Sequence, residues 1–293
     1  MKSTLKEIIL LMIILIMGSC LPEPASSPSV DLIHGPHDEF PAWSPDGEQI
    51  AYYHFSWDIP EPEEYPTGLY IIDKDGHNRR LILRGAHFSP AWSPDGEWLV
   101  FSSSGVIQKC KIDGDSLTTF NGLDYLHAPE FYFPHWSNDG KFILVDKPFV
   151  PMGIYCITAD FKNADSVISV ARDPESSPNG DEIIYFDWVS NTEPSDIFKS
   201  DINGLHKQRL TNNDRSDKGP TWSPDGKRIA WSSNTRLCVM NADGSNQKQI
   251  EYGNYPSWSV NNELVYSYAN ADYTKEVLYI VDPNGKNKRQ ITY

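Results

Sequence analysis

Three acids, Asp46, Asp95 and Asp225, occur in one repeated setting: PAWSPDG at 41–47 and 90–96, PTWSPDG at 220–226. A recurring carboxylate is a candidate for acid–base chemistry or for cation binding. Other fragments, DKDG, IDGD and NADG, resemble pieces of calcium loops, but none continues to a glutamate at the twelfth place, so they read as hairpin turns. His34 and His37 are three apart but not on a helix, and His54, His87 and His127 fall on separate connections without a His-x-His pair. No metal ligand set and no cofactor is expected. A hydrolytic nucleophile is also missing, since no Gly-x-Ser-x-Gly occurs. No catalytic residue is assigned, and the acids need another explanation.

That explanation comes from the elements around them. Weaker copies of the motif end at Gly140, Gly180 and Asn262, so the tryptophan place falls at Trp43, Trp92, Trp136, Ser176, Trp222 and Trp258, with a mean interval of 43 residues. A period of this size indicates stacked supersecondary units. After each motif comes a short β-branched or aromatic run: QIAYY, WLVFS, FILVD, EIIYF, RIAWS and ELVYS. These runs are too short for helices and nearly continuously apolar, as strands buried on both faces are. Second runs such as LYIIDKDG, LCVMNADG and LYIVDPNG end at Asp-Gly or Asn-Gly, a hairpin signal, and a fourth segment such as RRLIL or KRQIT closes the unit. Each repeat is therefore four short strands, A to D, with the tryptophan on A. The expected fold is all-β: a six-bladed β-propeller of four-stranded antiparallel blades over residues 38–293. Strand A is innermost, so a proline on its channel edge loses no ladder bond. Trp43, Trp92, Trp136, Trp222 and Trp258 are expected to fill the gaps between blades.

The pattern x-Pro-x-Trp-Ser-Pro-Asp-Gly-x-x-Ile-x-(Phe/Tyr/Trp) resembles the WD-like repeat of TolB-type propellers, and also the propellers of prolyl-oligopeptidase-type peptidases. The likeness covers about residues 38 to 293. It is specific for fold and says little of function. TolB itself carries an N-terminal α/β domain, whereas only residues 21–37 separate the expected anchor from the first blade here, so a family member other than TolB is expected. The peptidases carry a catalytic domain after their propeller, for which this chain has no room. Closure is left open: VDLIHG at 30–35 looks like a spare strand D, and the two ends of the propeller are expected to be adjacent.

In a four-stranded blade the A–B and C–D turns share one face, and the B–C and D–A connections share the other. The first set is short and uniform here. The second varies widely, with long connections at 54–68, 121–133, 147–153 and 187–196. Variable loops on a rigid scaffold are where binding is expected. The candidate ligand-binding residues are Trp57, Tyr65, Tyr125, Phe131, Phe133, Trp188 and Tyr255, beside acids such as Asp58, Glu61 and Glu130. Residues just before the strand-A prolines (Phe40, Ser89, Phe133, Asp173, Gly219 and Tyr255) should ring the channel mouth on that face. Asp46, Asp95 and Asp225 fall on the plain face. Cys110, Cys156 and Cys238 all lie on strand C. Cys110 and Cys156 take opposite-facing places, so they either meet across one interface or point away from each other.

Lys2 and Lys6, then an apolar run from Ile8 to Met17, then Gly18-Ser19-Cys20 make a secretory signal too short for an ordinary transmembrane helix. The MGSC segment resembles a bacterial lipobox, with Cys20 as the lipidated residue. The expected organisation is a signal peptide at 1–19, lipidated Cys20 and a flexible tether at 20–37, and the propeller at 38–293. The net charge of −15 and scattered basic residues exclude a nucleic-acid partner. The expected function is a non-catalytic binding scaffold for protein in the bacterial cell envelope, held to the membrane by its lipid alone, on the periplasmic side of the outer membrane or at the surface. The alternative is a sugar-binding or polysaccharide-degrading propeller.

Overall fold

The computed structural model describes residues 35–58, 61–120, 130–149, 151–189, 193–271 and 273–293. The signal, Cys20, most of the tether, His34, Tyr125 and His127 lie outside the described residues. Every described element is a β-strand. The first repeat supplies β1 (His37–Trp43), β2 (Gln49–Phe55), β3 (Gly68–Asp73) and β4 (Arg80–Arg84). The second supplies β5 (Phe88–Trp92), β6 (Trp98–Ser103), β7 (Val106–Lys111) and β8 (Thr118–Phe120), and the third β9 (Tyr132–Trp136), β10 (Phe142–Lys147), β11 (Gly153–Thr158) and β12 (Ala164–Ser169). In the fourth are β13 (Arg172–Ser176), β14 (Glu182–Trp188), β15 (Ser195–Asp201) and β16 (Gln208–Arg209). The fifth has β17 (Asp217–Trp222), β18 (Arg228–Ser233), β19 (Arg236–Asn241) and β20 (Lys248–Tyr252). The last has β21 (Asn254–Trp258), β22 (Leu264–Ala269), β23 (Glu276–Val281) and β24 (Arg289–Gln290).

The expectation of six separate blades is corrected by the sheet pairing. Four repeats form separate four-stranded blades: β5 to β8, β9 to β12, β13 to β16 and β17 to β20. The first and last repeats are one eight-stranded sheet, in the order β21-β22-β23-β1-β2-β3-β4 with β24 also on β23. The reason lies at the start of β1. Strand β24 has only two residues and leaves the first part of β23 open. The chain before β1 takes that place: Gly35 N donates to Thr274 O at 2.7 Å, Glu276 N donates to Pro36 O at 3.0 Å, and His37 pairs with Glu276 in parallel. An exposed strand edge is covered, as edge strands generally require.

The described apolar residues gather in six clusters, five between consecutive repeats and one between the last and the first. The five motif tryptophans sit in these clusters at 4% to 8% exposure. At the fourth repeat, where Ser176 replaces the tryptophan, Tyr185 and Phe198 occupy the interface. Cys110 packs against the first repeat and Cys156 against the fourth, so they point away from each other. Both thiols are free, as is Cys238, and burial pushes their pKa values up to about 12, 11 and 11.

The repeated Ser-Pro-Asp-Gly closes the A–B turn by a bond set the motif does not announce. Ser44 Oγ donates to Asp46 Oδ1 at 2.6 Å, and its oxygen accepts from Gln49 N at 2.9 Å. Asp46 Oδ1 also accepts from Glu48 N at 3.0 Å. The same set recurs at Ser93–Asp95 and Ser223–Asp225. The hydroxyl bonds lower all three carboxyl pKa values. These acids are turn-closing acceptors, which removes the first candidate for chemistry.

Candidate functional site

Each innermost strand carries the same irregularity. The ladder between strands A and B shifts register around the proline in every repeat, as between Glu39 and Ala42 or between Lys218 and Thr221. At that bulge the residue before the proline has a left-handed backbone, from φ 48° at Phe133 to φ 57° at Gly219. A bulge needs no ladder donor, so the missing proline N–H costs nothing there. The bulge turns the preceding residue toward the axis. Phe40, Ser89, Phe133, Asp173, Gly219 and Tyr255 all line one central cavity of about 450 Å³.

The rings of this set meet over the axis. The Phe40 and Tyr255 centroids are 4.2 Å apart, and Phe40 and Phe133, from non-adjacent strands, are 6.0 Å apart. The other side of the cavity is acidic. Burial pushes the Asp173 carboxyl up to about 7, with the Asp146 charge adding and Arg172 opposing. Glu175 is pushed up to about 8, again mainly by burial, although its carboxylate accepts from Trp222 N at 2.9 Å and from the Thr221 hydroxyl at 3.3 Å. His135 Nδ1 stands 4.0 Å from Glu175, and burial pushes its imidazole down to about 4. Both shifts favour the uncharged forms, which works against an ion pair at this contact. Deeper in the wall, Arg172 Nε donates to the buried Asp146 at 2.9 Å. The cavity thus offers an aromatic half and a carboxyl half, which suits a cationic or amine-bearing side chain.

The residues expected at the binding face separate into distinct environments. Phe133 and Tyr255 line the cavity. Trp57 is 38% exposed and leans edge-on against Phe55 at 4.6 Å. Trp188 is half-buried on Phe186 at 5.3 Å. Phe131 is fully buried, edge-on to Tyr155, and packs the core rather than facing solvent. Tyr65 is held in a buried network: its hydroxyl donates to Asp38 Oδ1 at 2.7 Å and contacts the Tyr52 hydroxyl at 2.8 Å. His54 completes that network through Nδ1 to the same Asp38 oxygen, and its ring stacks on Tyr65 at 3.5 Å. His87 contacts the Arg84 carbonyl through Nε2 at 3.0 Å, and burial lowers its pKa. His54 and His87 are therefore engaged separately and do not converge.

Sequence reasoning missed two features. Glu175 occupies the middle place of Pro-x-Trp, where Ala42 and Ala91 stand in the first repeats, and that contrast was its available signal. The other is a grouping of His37, Glu39 and Glu276, whose ligand atoms lie within 4.8 Å of one another. Glu276 is far in the chain from His37 and Glu39, and no local pattern announces the three together.

The model for the TolB beta propeller domain family matches residues 61–293. The Tol-Pal system protein TolB of Francisella tularensis is 36% identical over 109 residues, covering 32% of this chain and 24% of that protein. The chain thus spans about a quarter of the length of the curated relatives it matches. Among solved structures, TolB from Acinetobacter baumannii superposes with a TM-score of 0.69 at 20% identity, covering 83% of this chain and 63% of that one. The tricorn protease superposes with a TM-score of 0.63 at 13% identity, covering 87% of this chain and 26% of that one. At these identities the two structures establish the fold alone.

Proposed function

The chain belongs to the TolB β-propeller domain family, and from that premise we propose that it is a non-catalytic scaffold that binds protein through its loop face and channel mouth. The observation that carries this reading is the asymmetry of the two faces. One face repeats a single closed turn. The other presents five residue types at six equivalent bulge positions, beside connections of unequal length. The aromatic and carboxyl halves of the cavity favour an extended segment of a partner that inserts a lysine or arginine between them. Trp57 and Trp188 would extend the contact outward, Phe133 and Tyr255 would hold the segment at the mouth, and Tyr125 would join them from its long connection.

The same proposal assigns residues 1–19 to a signal peptide, Cys20 to lipidation and 20–37 to a tether, which sets the propeller at the envelope. Replacing Cys20 by Ala and fractionating cells tests the anchor: release from the membrane is expected, and unchanged association refutes it. Crosslinking in the native cell, followed by comparison with the Trp57→Ala/Trp188→Ala double variant, tests the face. Loss of the crosslinked partner is expected, and an unchanged partner set overturns the assignment. Among the described residues, no lysine or arginine lines the cavity to pair with an acidic polysaccharide. Turnover of acidic oligosaccharides by the purified chain would reverse that reading.

A further inference from the structure

The first and last repeats are joined by one parallel register pair, His37 with Glu276. Side chains alternate along a strand, so His37 and Glu39 project to the same side of β1 while Asp38 projects to the other. Asp38 is accordingly committed to His54 and Tyr65. Glu276 meets His37 and Glu39 from β23, and one ligand atom from each residue lies within 4.8 Å of the other two. Two carboxyls and one imidazole, from the first and last repeats, thus face one another at the seam. A cation between them would meet an oxygen from each carboxyl and a nitrogen from the imidazole.

We propose that His37, Glu39 and Glu276 bind one divalent cation of the zinc class, which clasps the first repeat to the last. The donor set argues for that class. An imidazole nitrogen with two carboxylate oxygens is a three-ligand arrangement that zinc accepts, with a solvent molecule in the fourth position. Calcium takes six to eight oxygens, more than this group supplies. Ligands at about 2.0–2.2 Å from such an ion stand closer together than 4.8 Å, so binding would draw the three side chains inward. The site's position gives the ion a role. The two strands it bridges share little ladder, so a ligand bound only by the closed ring stabilises that closure by mass action.

The test uses the full-length chain in mild detergent, stripped with a chelator and then titrated with zinc, calcium or magnesium chloride. One zinc per chain by elemental analysis is expected, with an upward melting shift of about 3 °C or more at saturation. Calcium and magnesium should give no comparable shift. His37→Gln and Glu276→Gln should each weaken zinc binding about tenfold or more and remove the shift, while the surface variant Glu48→Gln keeps it. Zinc absent from the wild-type chain, or a shift that persists in both variants, overturns the proposal. So does a Glu276→Gln chain that melts higher than a wild-type chain that takes up no zinc, because the pair is then held by a proton.

Discussion

The two faces of this molecule are made from the same strands and obey different rules. On the turn face, Ser44, Ser93 and Ser223 close identical A–B turns onto Asp46, Asp95 and Asp225 with bonds of 2.5 to 2.6 Å. On the loop face the backbone is just as regular, because every pre-proline residue adopts the same left-handed bulge. At those bulges only the side chains differ, while the connections beside them differ in length. Repetition of both backbone and side chain marks a folding device. Repetition of backbone under changing side chains marks a position released from folding and open to recognition.

The comparison fails if the repeated elements prove dispensable or the variable ones prove structural. The largest effect should come from the tryptophans between repeats. Trp136→Ala should lose about 3–5 kcal/mol in denaturant unfolding, through the cavity it leaves. Glu175 follows. Its folded-state pKa, raised to about 8, lies above the unfolded value near 4.3, so its contribution is fully present below the unfolded value and is lost as pH rises through about 8. His135 has the opposite sign, with its contribution lost only as pH falls from 6.5 toward about 4. Between pH 6.5 and 8.5 the wild-type chain should therefore lose about 2 kcal/mol with rising pH on account of Glu175, and Glu175→Gln should flatten that slope. Urea melts at four pH values would decide it.

Next are the turn glycines. A Cβ on Gly47 would stand 2.8 Å from Asn261 Nδ2 and 2.9 Å from Val260 Cγ1, whereas one on Gly180 meets nothing within 4 Å. Both have positive φ, 70° and 78°. Gly180→Ala should cost about 1 kcal/mol for its backbone alone, and Gly47→Ala about 2 kcal/mol. Equal losses would mean that the contact beneath Gly47 yields freely. Ser223→Ala, which removes the hydroxyl that donates to Asp225 and accepts from Arg228 N at 2.9 Å, should cost about 1 kcal/mol. The smallest effect belongs to the other face: Trp57→Ala should change stability by about 0.5 kcal/mol. A loss as large as that of Trp136→Ala would place Trp57 among the folding residues and collapse the distinction.

Much of this architecture was legible because it repeats locally. The Pro-x-Trp-Ser-Pro-Asp-Gly stretch marks strand A and its turn, the Asp-Gly or Asn-Gly pairs mark the C–D hairpins, and the residue before each proline marks the channel ring. What was not legible depends on distant contacts. The fusion of first and last repeats into one sheet rests on Gly35 and His37 meeting Thr274 and Glu276. No window of sequence holds both partners. Burial of the loop aromatics was equally hidden. Phe131 and Phe133 are two residues apart, yet one packs the core and the other faces the axis, because the neighbouring strands decide which side is filled. Tyr65 was hidden for the same reason, its role being set by Asp38 and Tyr52 from other strands.

The left-handed residue before each proline has one more consequence. Asparagine, aspartate and glycine adopt that backbone readily and bulkier residues do so at some cost, yet phenylalanine, serine, aspartate, glycine and tyrosine all occupy it here. Exchange at the six places is expected to leave the ladders and the interfaces between repeats in place. They act as a coupled set on a fixed frame, since Phe40 touches both Phe133 and Tyr255 across the axis. A library varied only at 40, 89, 133, 173, 219 and 255 would sample new specificities while leaving the frame intact, a route by which one such ring gives rise to descendants with unrelated ligands.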